Sequence, residues 1–172
     1  MKKILPLILL SLCFVTFARA QFRCVKFQDA SLGVSMCAPV GWAIADGIDN
    51  NKVIVGERTD NFTRNINVKG AVFPGTVSQA AAAGIAYILK TKPGGITKVA
   101  LSSKKAFTAG KEQGVKVVFK AVAAGRDVKS IQYYFSGKGK NKIVVTATLF
   151  WSDDADLETI IDNAVKTIEL KK

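Results

Sequence analysis

The chain is predicted to fold as an α+β domain, an antiparallel β-sheet flanked by helices, and three observations carry that expectation. Apolar residues concentrate in short β-branched or alternating runs over most of the chain, and switch to three-and-four spacing only near residues 77–90 and 157–168. The order is strands, helix, strands, helix, with hairpin-length gaps between strands. No repeat, low-complexity tract or linker interrupts residues 21–172, and a chain 49% apolar can bury one sizeable core, so a single domain is expected there.

The elements follow in order. Strands are expected at Phe22–Gln28, Gly33–Ala38, Lys52–Glu57 and Arg64–Phe73. Pro39-Val40-Gly41-Trp42 reads as the turn closing the opening hairpin, and Pro74-Gly75 stops the fourth strand. Thr76-Val77-Ser78-Gln79 offers a cap to a helix over Ala80–Lys90, where Val77, Ala81, Gly84, Ile85 and Ile88 recur at helical spacing. Pro93-Gly94-Gly95 ends that helix. A second set of strands covers Thr97–Leu101, with room to extend to Phe107, then Val115–Val122, Val128–Phe135 and Lys142–Phe150. Leu157, Ile160, Ile161, Ala164, Val165 and Ile168 form one apolar stripe on a closing helix, which Ser152, Asp153 and Asp154 precede as capping acids and hydroxyl.

Residues 1–20 have the three parts of a cleaved secretory signal: Lys2 and Lys3, an apolar run from Ile4 to Phe17, and the Ala18-Arg19-Ala20 cleavage pattern. The run is shorter than the roughly twenty residues a bilayer span requires, so no transmembrane span is expected in the mature chain. In Leu10-Ser11-Leu12-Cys13 a bulky leucine stands where a lipidation site at Cys13 would want Gly, Ala or Ser. Cleavage after Ala20 implies a periplasmic or secreted protein, where disulfides persist. A turn centred between Ala30 and Ser31 would set Cys24 directly across from Cys37, and a disulfide between them is expected. No C-x-x-C motif suggests a redox role for the pair.

Phe27-x-Asp29, Gly33-Val34-Ser35-Met36 and the Pro39-x-Gly41-Trp42 turn come first, then the helix after Pro74-Gly75, the Gly110–Gly114 turn, the paired strands to Phe150 and the closing helix. This order of features resembles the Mog1/PsbP-like domains, including periplasmic bacterial members of the DcrB type. The resemblance implies an α/β/α sandwich and an accessory or binding role, with no catalytic residues to carry over and no cofactor.

The absence of histidine removes Ser-His-Asp and Cys-His nucleophiles and every His-based metal site. Asp153, Asp154 and Asp156 could face a cation, but they lack the calcium-loop pattern, and helix capping explains them. Gly137-Lys138-Gly139-Lys140-Asn141-Lys142 lacks the phosphate-loop pattern and reads as a basic hairpin turn. Adjacent strand residues face opposite ways, so Tyr134 cannot share a stacking platform with Tyr133 or Phe135, and Trp42 and Trp151 read as packing residues. Asn61-Phe62-Thr63 matters as a glycosylation acceptor only in a eukaryotic secretory pathway.

Without the first twenty residues the net charge is +9, and residues 90–142 alone carry +11. Lys98, Lys104, Lys105, Lys111, Lys116, Lys120, Lys129, Lys138, Lys140 and Lys142 fall on neighbouring strands and turns and are candidates for an anion-binding patch. The same lysines also fit a solvated face with protected edges. Two functions follow as expectations. The first is a non-enzymatic accessory protein of the bacterial envelope that contacts an unidentified envelope protein. The second is an electrostatic binder of lipopolysaccharide, anionic lipid or nucleic acid. A hydrolase using lysine and carboxylates is the third reading, and an enzyme is not expected.

Overall fold

A computed structural model describes residues 24–47, 52–59, 62–153 and 155–171; the proposed signal segment, Asn61 and Asp154 lie outside them. Strands β1 (Lys26–Asp29) and β2 (Val34–Cys37) form the opening hairpin, and β3 (Ala43–Asp46), β4 (Lys52–Thr59) and β5 (Phe62–Val72) follow. Helix α1 (Val77–Thr91) leads into four long strands, β6 (Thr97–Ala109), β7 (Glu112–Ala123), β8 (Arg126–Ser136) and β9 (Asn141–Phe150). Helix α2 (Ala155–Lys166) and the two-residue β10 (Glu169–Leu170) close the chain.

Seven strands make one antiparallel sheet in the order β3-β4-β5-β9-β8-β7-β6, and β1, β2 and β10 make a second, small one. Side chains alternate across the large sheet, so each long strand feeds two cores. One face buries Ile66, Ile131, Tyr133, Phe135, Val145 and Leu149 against Ile161, Val165 and Ile168 of the closing segment and against Phe27, Val34 and Met36 of the small sheet. The other face buries Val117, Phe119 and Tyr134 under Ala80, Ala81 and Ile88 of α1. This is the α+β architecture expected, with helices on both faces.

The start of α1 is fixed locally. Thr76 accepts the Gln79 N–H while the Gln79 side chain accepts the Thr76 N–H, a capping box that satisfies two of the helix's orphan donors. The helix lies close to the sheet at Gly84, where a Cβ would collide with the Tyr134 hydroxyl.

The opening hairpin differs from expectation in register. Lys26, not Cys24, stands across from Cys37, and Phe27 pairs with Met36. The reason is a longer turn: Gly33 takes the left-handed conformation at φ 65°, and the Asp29 carboxylate accepts both the Ser31 hydroxyl and the Leu32 N–H. Cys24 thus sits two residues past the pair, on the diagonal, and still bonds Cys37 across a Cα separation of 5.3 Å. β3 and β10 are additions to the expected strands. Ile168 lies beyond α2, at the turn into β10.

The disulfide closes a loop of 13 residues that holds the small sheet together. The Cys24→Ser/Cys37→Ser variant should lose about 2–3 kcal/mol of stability, because the unfolded chain regains the freedom of that loop. Urea denaturation of the two proteins checks this; equal midpoints would show that the hairpin holds itself closed.

Candidate functional site

The two faces of the large sheet are covered unequally. Helix α1 packs on β6, β7 and β8, and among the described residues the same face of β3, β4, β5 and β9 is left beside it as the floor of an open groove of about 1080 Å³. One wall is α1, through Ala80, Ala83, Gly84, Tyr87 and Ile88.

The floor can be read from the ladder register. Ala45 pairs with Val53, Val53 with Asn67, Asn67 with Thr146, and Thr146 with Gln132. One row therefore crosses five strands, apolar at the β3–β4 side and neutral polar over β5, β9 and β8. Asn65 and Thr63 extend the polar band along β5. The Asn67 amide donates to the Asn65 side-chain oxygen at 2.7 Å, and the Asn65 amide donates to the Thr63 carbonyl at 2.9 Å. The Tyr134 hydroxyl donates to the Gln132 side-chain oxygen at 2.5 Å, and burial pushes its pKa up to about 12. Among the lining residues the charges are Asp46, Lys69 and Lys142, and the Lys142 ammonium donates to the Phe73 carbonyl at 3.0 Å.

The candidate lysines do not gather at one place. Lys116, expected at the surface, is fully buried on the opposite face, where its ammonium donates to Glu158 at 2.8 Å and Asp162 at 2.6 Å on α2. Tyr133 donates to the same Asp162 oxygen at 2.6 Å. Lys129 pairs with Glu158 and Lys120 with Asp127, and both ammoniums lie over the Trp151 ring. Lys142 is buried on the groove face. These assignments correct the surface reading of Lys116 and Lys142: each ammonium is desolvated and takes protein acceptors in place of an external anion. Lys104 pairs with Val117 and Lys105 with Lys116, so those neighbours face opposite sides of the sheet. Lys98, Lys104, Lys105, Lys111, Lys138 and Lys140 are exposed, the first three on β6 and the others in or beside turns.

The capping role expected of Asp153 changes as well. Asp153 does not serve α2; it accepts Arg64 through both carboxylate oxygens, at 2.6 and 2.9 Å, and the Phe150 N–H. Phe107 packs edge-on against Tyr133 and Phe135 in the core, whereas Tyr134 faces α1, so no three-ring platform forms. Among the described residues no group of three metal-ligating side chains is brought together.

The arrangement defines an α+β domain with one half-open sheet face. No family model matches the chain and no curated protein matches it, but solved structures do. Cyanobacterial PsbP (CyanoP) from Synechocystis superposes with a TM-score of 0.62 at 12% identity, covering 85% of this chain and 91% of that one. The Ran-binding protein Mog1p of Saccharomyces cerevisiae gives 0.59 at 12%, over 84% and 94%. LpqN, involved in cell envelope biogenesis of Mycobacterium tuberculosis, gives 0.62 at 11%, over 81% and 83%. The chain thus has the Mog1/PsbP-like fold that its opening motif and element order imply.

The Lys116 cluster makes stability depend on pH. Burial alone would raise the Glu158 pKa, but hydrogen bonds from Lys116 and Lys129 outweigh it and hold the carboxyl below its ordinary 4.5. Its contribution is therefore present in full above pH 4.5 and is lost as pH falls through the depressed folded value. Glu158→Gln should flatten that acid limb in urea titrations at successive pH. Glu158→Gln/Asp162→Asn, which strands a buried ammonium, should cost about 3–5 kcal/mol, and Lys116→Met clearly less. An equal cost for both would show the cluster is not held by its charges.

Proposed function

We propose that this chain is an exported, non-enzymatic accessory protein of the bacterial envelope that binds another envelope component through the half-open sheet face. The groove carries this reading. It is a concave surface on a rigid sheet, with a mostly neutral lining and α1 as a wall, and among the described residues it holds no paired carboxylates or activated nucleophile of the kind hydrolysis requires. The chain has no histidine to supply a general base in its place.

Export is supported by the charged start, apolar run and Ala18-Arg19-Ala20 pattern, which fit cleavage before Gln21 and leave residues 21–172 as the working domain. The Cys24–Cys37 disulfide fits an oxidising compartment. Among the described residues no helix is long and apolar enough to cross a membrane. Mog1p, as a Ran-binding protein, and LpqN, involved in cell envelope biogenesis, support a binding and envelope role for a chain of this fold.

The six exposed lysines support a second reading, binding of lipopolysaccharide, anionic lipid or nucleic acid at the turns and β6. One experiment separates the two. Ala83 is an exposed wall residue of α1, so Ala83→Trp fills the groove without touching the core. Immobilised mature protein should retain its envelope component, and Ala83→Trp should reduce retention by about tenfold or more. Reversal of Lys104, Lys105, Lys138 and Lys140 to Glu should leave retention unchanged at low and high salt. Loss on reversal, with a steep fall as salt rises, would replace the groove with the polyanion reading.

A further inference from the structure

We propose that the groove binds an uncharged, hydroxyl-rich chain, a glycan segment, across the Asn67–Thr146–Gln132 row. The inference rests on the reading of the groove as the recognition surface and names its ligand class. Three features of the groove converge on it.

The first is what the floor offers. β5, β9 and β8 are interior strands paired on both sides, so their backbone N–H and C=O groups are consumed in the ladders. Only side chains are available to a ligand, and across the row these are an amide, a hydroxyl and an amide, set about 4.8 Å apart by the strand spacing. Among the described residues the Asn67 side-chain oxygen, the Thr146 hydroxyl and the Gln132 side-chain nitrogen take part in no hydrogen bond. That leaves an acceptor, a group that is both donor and acceptor, and a donor in series. Sugar hydroxyls, each donor and acceptor at once, match such a series.

The second is the charge pattern. Asn65, Asn67, Thr63, Thr146, Gln132 and Tyr134 are neutral at physiological pH, Tyr134 the more so because burial raises its pKa. The charges of the lining are Asp46 and Lys69, of opposite signs, and Lys142, which is buried and donates to the Phe73 carbonyl, so the lining sums to a single positive charge that is held inside the protein. An anionic ligand would gain little net attraction there. An acyl chain would strip water from three amides and return no hydrogen bond, which is unfavourable.

The third is the wall. Tyr87 stands 58% exposed on α1 at the groove, an aromatic ring available to the apolar face of a sugar. An extended peptide, the other neutral candidate, would seek backbone pairing that these interior strands cannot give.

Soluble chitotetraose, cellotetraose and maltotetraose serve as probes, with dodecanoic acid as the apolar comparison, read by calorimetry and by chemical-shift changes in the mature protein. At least one tetrasaccharide should bind with an affinity indifferent to salt, and dodecanoic acid should not. Asn67→Leu/Thr146→Val should weaken binding by about tenfold or more, with a dispersed amide spectrum confirming the fold, and Ala83→Trp should abolish it. Binding that survives the double substitution, binding of dodecanoic acid alone, or no binding by any tetrasaccharide at millimolar concentration overturns the proposal. If envelope capture remains sensitive to Ala83→Trp in that case, the groove stands and its ligand is of another class; if capture ignores Ala83→Trp, the groove reading itself fails.

Discussion

An α-helix is about 10 Å wide, whereas seven strands at about 4.8 Å spacing span roughly 29 Å. One helix therefore cannot cover a face of this sheet. On one face the shortfall is met by adding α2 and the small sheet of β1, β2 and β10, and the residues beneath are apolar on nearly every strand. On the other face, among the described residues, α1 acts alone over β6, β7 and β8. Its close approach at Gly84 and Tyr134 fixes it there. The composition of β5 and β9 follows from the same limit. Where α1 covers the sheet the residues are Val117, Phe119 and Tyr134; beside it β5 and β9 present Asn65, Asn67 and Thr146, and the outer strands β3 and β4 present Ala45, Val53 and Val55.

The covered face answers a different problem, how to accept a lysine inside a core. Lys116 is buried on a central part of β7, and its ammonium is matched by two carboxylates from successive turns of α2. Such a pair contributes little net stability relative to apolar packing, but it penalises any docking of α2 that leaves the charge unmatched. Tyr133 and Lys129 join the same carboxylates, so the rotation and height of α2 on the sheet are specified by several directional contacts. These contacts also remove lysines from the surface that a count of charges would place there.

What was legible in the sequence follows the range of each interaction. Local signals transferred well: the Thr76 and Gln79 capping box, the stop at Pro74-Gly75 and the alternation of the four long strands are all written within a few residues. The Cys24–Cys37 bond was legible because both cysteines flank one expected hairpin, although the register behind it was two residues off, since Gly33 and the Asp29 side chain build a longer turn than Ala30-Ser31 alone. The lysines misled because alternation separates the faces of a strand without saying which face is covered; Lys116 and Lys120 look alike in sequence, and only α2 distinguishes them. The groove floor was missed for the same reason. Its available signal was the run Thr63, Asn65 and Asn67 on alternate positions of β5, with Thr146 and Thr148 on β9: neutral amides and hydroxyls where a merely solvated face would carry charges.

Likeness to CyanoP, Mog1p and LpqN at 11–12% identity fixes the architecture and leaves the site to this chain's own residues. The central claim is that the half-covered face, and not the α2 face or the lysine-bearing turns, meets the partner. It is tested most directly by placing a photoreactive phenylalanine at Ala83, at Ile160 on the exposed side of α2, or at Lys138, and irradiating intact cells. The account predicts crosslinks to an envelope component from position 83 and none from 160 or 138. Crosslinks from 160 or 138 with position 83 silent would contradict it.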